Sequence, residues 1–262
     1  MSSNTVLVPC YDGQLEAVDP TGSGTITQGK NTMPTQICLV GNEGFRVDDH
    51  GTTIFVDALY TPIPGVAGRP ALHPEAITKA DLLLFTHGHL DHFDPAATIR
   101  VALTTGSVIV GPAPVIAALR GSVPAEHLVS LEPQEGFSGR SHRTVTLPFA
   151  SVTAFRTWHA SHHNSYLVEM EGLRFFHDGD NEDTRPIIAE SLGALDALMI
   201  GPWFGSGWVD LVERLAARYT FLMHLTEEEL RAHEEGTFLP EICEKVPPGI
   251  IVLAPGESRV LT

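Results

Sequence analysis

Phe85-Thr86-His87-Gly88-His89-Leu90-Asp91-His92-Phe93-Asp94 places three histidines and an aspartate within six residues. It follows Asp81-Leu82-Leu83-Leu84, a continuous apolar run of the kind that forms a strand buried on both faces. It leads into Asp94-Pro95, an N-cap with proline at the first helical position, which predicts a helix over 96–103. The segment is therefore a loop at the carboxyl end of a buried strand, where open α/β sheets build their sites. Imidazole nitrogens ligate Zn, Fe, Mn and related ions, and a carboxylate adds a hard oxygen. His87 and His89, two apart, can meet one ion, while Asp91 and His92 turn toward a second. A solvated loop with chance histidines is the bland alternative. Four ligand-type residues packed so closely argue against it.

Outward from this loop, strand-like and helical segments alternate. Residues 37–40 and 53–57 read as strands joined by a Gly- and Asp-rich turn. A further strand is expected at 107–110, and a short helix over 112–120 ends at Gly121. Residues 144–158 read as strand, turn, strand. Residues 166–170 and 173–177 flank Glu171-Gly172, a tight hairpin signal. Residues 195–200 form another buried strand. The spacing of Trp208, Leu211, Val212 and Leu215 predicts an amphipathic helix over 208–218. A short strand at 221–223 precedes a helical, acidic stretch from Glu227.

With 262 residues, 43% of them hydrophobic and 18% charged, the chain has material for one large globular domain over 1–262. Residues 1–34, rich in Gly, Thr, Ser and Asp, read as a loosely structured lead-in. No apolar run approaches the ~20 residues of a bilayer span, so no membrane partner is expected. The N-terminus lacks a basic stretch followed by an apolar core. Cys10, Cys38 and Cys243 are too few and too scattered for a disulfide framework or thiolate metal site. Together these favour the cytoplasm. Asp and Glu outnumber Lys and Arg by 32 to 16, a formal net charge of −16. Nucleic acid is thereby excluded as a partner, because its binding draws on Lys and Arg neutralising phosphates. A small, weakly charged substrate suits the field better, and a homo-oligomer is compatible with everything read so far. The 13 histidines mark where chemistry should be sought.

Thr86–His92 resembles the T-H-x-H-x-D-H signature of the metallo-β-lactamase superfamily. Trp158-His159-Ala160, His177-Asp178-Gly179-Asp180 and Phe221-Leu222-Met223-His224 match the histidine, Gly-Asp turn and late histidine that follow in that family's order. The resemblance implies an α+β fold, a four-layer αβ/βα sandwich, with one or two ions at the sheet edge and mostly hydrolytic chemistry. Carried over, it implies a first ion on His87, His89 and His159 and a second on Asp91, His92 and His224, with Asp180 bridging. His162 and His163 compete with His159, Asp178 competes with Asp180, and His224 could be a packed core histidine. Asp57 resembles the family's early aspartate, which orients a metal-binding histidine; a plain strand-end aspartate is the rival reading.

The site so implied holds two divalent ions, zinc first, with manganese or iron as alternatives. A metal-bound hydroxide would attack an ester-type bond, phosphodiester or lactone, while Asp91 and Asp180 position it and move protons. The lactonase and phosphodiesterase-like branch fits best in length and motif spacing. Its usual first-strand Gly-His pair is replaced here by Pro34-Thr35-Gln36-Ile37-Cys38. His162, His163 and Trp203 are candidate substrate contacts, and Arg156 and Arg185 could meet an anionic group. A non-catalytic metal-binding or scaffold protein of the same fold is the second functional class.

Overall fold

The computed structural model describes residues 34–133 and 141–262, so the expected lead-in lies almost wholly outside the described residues. Two seven-stranded mixed sheets face each other. The first contains β1 (Gln36–Gly41), β2 (Gly44–Asp49), β3 (Thr52–Val56), β4 (Leu82–Leu84), β5 (Val108–Gly111), β6 (Leu128–Ser130) and β14 (Ser258–Val260), in the order β14-β1-β2-β3-β4-β5-β6. The second contains β7 (His142–Thr146), β8 (Ser151–Arg156), β9 (Asn164–Glu169), β10 (Arg174–His177), β11 (Ala197–Ile200), β12 (Tyr219–Leu222) and β13 (Ile250–Val252), in the order β13-β12-β11-β10-β9-β8-β7. Helices α1 (Pro95–Thr105) and α2 (Ala113–Leu119) follow strands of the first sheet. Helices α3 (Ala189–Leu192), α4 (Trp208–Leu215), α5 (Glu227–Glu234) and α6 (Phe238–Ile242) follow strands of the second.

The period-two alternation of strands sorts the core into three apolar layers. Ile54, Val56, Leu82 and Leu84 point between the sheets, where they meet Val168, Phe175, Met199 and Phe221. Phe55, Leu83 and Phe85 point the other way and pack with Val101, Val115 and Ile116 of α1 and α2. Across the molecule Leu198 and Ile200 pack against Trp208, Leu211, Val212 and Leu215 of α4. Helix, sheet, sheet, helix is the four-layer sandwich that the family resemblance implied. Each fully buried leucine of β4 contributes ~1.5–3 kcal/mol, which is why a three-residue strand holds the centre of its sheet.

Two expectations change. The supposed turn between the first two strands contains β2, whose Phe45 and Val47 face the core while Arg46 and Asp48 are half-buried. Its Gly and Asp flanks hid a plain alternation. The helix expected over 208–218 stops at Leu215, because Ala216 adopts φ 45° and closes it. The last two strands, β13 and β14, carry no local signal strong enough to read. Cys38, within β1, is disulfide-bonded, and Cys243 is free. Among the described residues no helix is long and apolar enough to cross a membrane.

β3, β4, β5 and β6 run parallel, as do β10, β11, β12 and β13. Their carboxyl ends converge, and every loop described next leaves a strand there or turns back beside it.

Candidate metal centre

Asp94 accepts from the main-chain N–H groups of Ala96 and Ala97 and starts α1, and Gly106 at φ 70° ends it. This cap and the buried β4 clamp the loop between them at both ends. His87 is 1% exposed and His92 fully buried, whereas His89 remains exposed. From the second sheet come His159 after β8, Asp180 after β10 and His224 after β12.

Asp180 is the meeting point. Its Oδ2 lies 3.2 Å from His92 Nε2, 3.4 Å from His159 Nε2 and 3.9 Å from His87 Nε2. Its Oδ1 lies 3.5 Å from His224 Nε2. Asp91 Oδ2 is 3.4 Å from His92 Nε2 and 3.6 Å from His224 Nε2. His87, His89 and His159 form one cluster of ligand atoms within 4.8 Å of one another, and Glu43, His92, Asp180 and His224 form another. The Nε2 atoms of His87, His92 and His224 and Oδ1 of Asp180 are buried without a hydrogen-bond partner. Orphaned polar atoms each cost ~1–3 kcal/mol, so four of them converging on one space is the signature of a cation site. Imidazole nitrogens with carboxylate oxygens suit a divalent first-row ion.

The supports are as specific as the cluster itself. Glu43, fully buried in the β1–β2 turn, lies 2.6 Å from His92 Nδ1 and so turns Nε2 toward Asp180. Asp57 accepts from the Thr86 N–H at 2.8 Å and its hydroxyl at 2.5 Å, while Thr86 Oγ1 lies 3.0 Å from His87 Nδ1. Asp57 also approaches His92 Nδ1 at 3.5 Å. Glu182 stands 2.8 Å from His159 Nδ1. Such partners set ring orientation and tautomer. Asn42 Nδ2 donates to the Asp91 carbonyl at 3.1 Å, and the Asn42 carbonyl accepts from His224 N–H at 3.1 Å. Asn42, Asp57 and His224 all hold left-handed backbone, at φ 52°, 45° and 59°, a strain that non-glycine residues tolerate where the surroundings over-determine it.

Burial lowers the affinity of His87 for a proton, and the neighbouring His92 adds to the effect. Burial pulls His92 the same way, but Glu43 and Asp180 outweigh it and hold its pKa well above the usual value. For Asp91 burial opposes charge, yet the rings of His224 and His92 beside it hold its carboxyl far below the ordinary range.

The expected residues divide accordingly. His87, His89, Asp91, His92, His159, Asp180 and His224 come together, with Asp57 behind them. Asp178 does not join them: it is buried, accepts from Ser165 and Asn181, and burial pushes its carboxyl up to about 7. His163 cannot be a substrate contact, because it is fully buried and both ring nitrogens are engaged, Nδ1 with Thr157 Oγ1 and Nε2 with Asp180 N–H. His162 stays at the surface, bonded to Glu132. Trp203 lies beside the centre, its ring 4.8 Å from that of His224. Arg156 is turned to Glu132 and to the carbonyls of Ser161 and His163, and Arg185 is paired at the surface with Asp183. Glu43, Asn42 and Glu182 escaped the sequence reading. A lone acid in Gly41-Asn42-Glu43-Gly44 is unremarkable until the turn is folded against His92.

The model of the beta-lactamase superfamily domain matches residues 52–225. A UPF0173 metal-dependent hydrolase of Thermococcus onnurineus is 27% identical over 85% of this chain and 97% of its own length. Among solved structures, the metallo hydrolase Igni18 of Ignicoccus hospitalis superposes with a TM-score of 0.60 at 16% identity, covering 88% of this chain and 99% of that one. The metallo-beta-lactamase fold protein YhfI of Bacillus subtilis gives a TM-score of 0.60 at 13% identity over 86% and 98%. At such identities the two structures speak for the fold, and the family model, spanning most of the chain and His87 through His224, decides membership: this chain belongs to the beta-lactamase superfamily.

Proposed function

We propose that this metal-dependent hydrolase of the metallo-β-lactamase fold cleaves an ester-type bond of a small molecule at a binuclear centre. In this reading His87, His89 and His159 hold one divalent ion, Asp91, His92 and His224 hold a second, and Asp180 is shared. The observation that carries it is the Asp180 carboxylate, whose two oxygens face both histidine groups. Zinc, manganese and iron all suit the donor set. Bound there, such ions lower the pKa of water and polarise the oxygen of the scissile group.

The remaining work falls to the chain. Asp180 and Asp91 present oxygens on the same side as His92 and His224, and there they orient the attacking water. The Asp91 carboxylate, beside that water, accepts a proton and passes it to the leaving oxygen. Glu43 and Asp57 keep His92 and His87 in the ligating orientation. The acid excess of the chain turns polyanions away and favours a small, weakly charged substrate.

The test is metal content and turnover together. The purified protein should take up two equivalents of Zn or Mn per chain by elemental analysis and hydrolyse at least one of bis(p-nitrophenyl) phosphate or a simple lactone. Asp180→Ala and Asp91→Ala should abolish turnover with the fold retained by circular dichroism. One equivalent of metal with full activity, or unchanged turnover in Asp180→Ala, would sink the binuclear mechanism.

A further inference from the structure

A cavity of about 240 Å³ opens on His224, walled by Val66, Pro202, Trp203, Leu225, Thr226 and Glu229. It is small and mainly apolar, and no lysine or arginine lines it. Its one carboxylate is already engaged, since Glu229 Oε2 accepts from the Thr226 N–H at 2.7 Å and from its hydroxyl at 2.8 Å. Trp203 is held in place from behind: Gly201 leaves the room the indole needs, and a Cβ there would collide with Nε1.

The loops that carry the ligand-type residues also expose apolar side chains. Leu90, between His89 and Asp91, is 58% exposed; Trp158, next to His159, is 51% exposed; and Phe204, after Trp203, is fully exposed. Exposed apolar side chains grouped on site-bearing loops mark a binding surface. Of the two arginines the sequence singled out for an anion, Arg156 is buried against Glu132, and Arg185 stands at the surface paired with Asp183. Asp57, Asp91 and Asp180 offset most of the charge that two divalent ions would bring, so little positive field remains to attract an anion.

We infer that the substrate is an uncharged carboxylic ester or lactone bearing an apolar group that lies against Trp203, and that phosphodiesters are disfavoured; this rests on the hydrolytic reading above. The reaction is addition of water. The water oxygen bonds to the acyl carbon and the acyl C–O bond breaks. One proton ends on the leaving oxygen and the other is released from the acid formed.

The test compares p-nitrophenyl acetate, butyrate and hexanoate, a γ-alkyl lactone series, the anionic mono-p-nitrophenyl succinate and bis(p-nitrophenyl) phosphate on the metal-loaded protein. It is paired with calorimetric binding of N-butylbutyramide and dibutyl phosphate to the metal-free protein. For neutral esters kcat/KM should rise up to about four-fold per added methylene until the cavity is filled. It should exceed that for the succinate and the phosphodiester by at least ten-fold, and the amide should bind more tightly than dibutyl phosphate. Trp203→Ala should flatten the chain-length dependence and weaken the amide, with Trp203→Phe restoring most of both. Val66→Lys should narrow the gap between neutral and anionic substrates. Preference for the phosphodiester or the succinate, or equal binding of amide and phosphate, overturns this inference and leaves the binuclear hydrolase standing. Absence of metal-dependent hydrolysis with every substrate overturns the hydrolase and this inference together.

Discussion

His163 Nε2 accepts the main-chain N–H of Asp180 at 2.9 Å, so a fully buried histidine that touches no substrate sets the carboxylate at the middle of the cluster. That bond requires Nε2 to be unprotonated and leaves Nδ1–H to donate to Thr157 Oγ1 at 2.9 Å. Thr157 in turn bonds Ser165 at 2.8 Å, and Ser165 donates to the Asp178 carbonyl at 2.6 Å. The Gly-Asp turn is thus hung on a chain of side chains from β8 and β9. Gly179, at φ 59°, closes it where a Cβ would come within 2.5 Å of His163 Nε2.

Replacing His163 by Ala should therefore loosen Asp180 rather than remove a ligand. Metal affinity is expected to fall ~10–100-fold, the range for a lost supporting bond. Competition with a chromophoric chelator measures it, and an unchanged affinity would show that the turn holds itself.

Glu43→Gln probes the other end of the centre. The swap keeps the shape but removes the carboxylate that faces His92 Nδ1. His92 then becomes a poorer donor through Nε2. Metal affinity should drop ~10–100-fold, read by competition with a chromophoric chelator.

Acid should destabilise the metal-free protein in a defined window. Burial holds His163 at about 3 and His87 far below its usual value. Unfolded histidines take up protons below ~6.5, while the folded ones refuse them, so the unfolded state binds more protons and stability falls as pH drops. The contribution is complete above pH ~6.5 and, for His163, is lost by about pH 3. Urea titrations between pH 4 and 8 should show this slope, reduced in His163→Gln. A slope identical in that variant would place the effect elsewhere.

Leu84 tests the core beneath the metal loop. It is fully buried between the sheets, one residue before Phe85 and three before His87. Leu84→Ala should cost ~2–5 kcal/mol, read by urea denaturation. The same variant should raise metal dissociation, since β4 is the fixed end of the ligand loop.

The cluster on the first sheet was legible in the sequence because its signals are local. The apolar run of β4, the Asp94-Pro95 cap and the spacing of His87, His89, Asp91 and His92 lie within a few residues of one another. Hydrophobic periodicity similarly exposed α4, and the Glu171-Gly172 turn the β9–β10 hairpin. His159, Asp180 and His224 could be picked out only by their order along the chain, through likeness to a family. What hid β2 was composition, and what hid β13 and β14 was length: three-residue strands exist only because β12 and β1 are there to pair with.

The sequence by itself therefore determined the strands and caps that have a local signal and which residues carry ligand atoms, because those depend on neighbours in the chain. Which of them meet was decided by tertiary structure alone. Asp180 rather than Asp178 meets the histidines because Asp178 is turned to Ser165 and Asn181, and His159 rather than His163 joins His87 and His89 because both ring nitrogens of His163 are engaged by Thr157 and Asp180. Glu43 becomes the partner of His92 only when residues 49 apart are brought to 2.6 Å. Burial then gives such contacts their force, since a carboxylate that would be a solvated turn residue in water becomes, with no water to screen it, what orients a metal-binding ring.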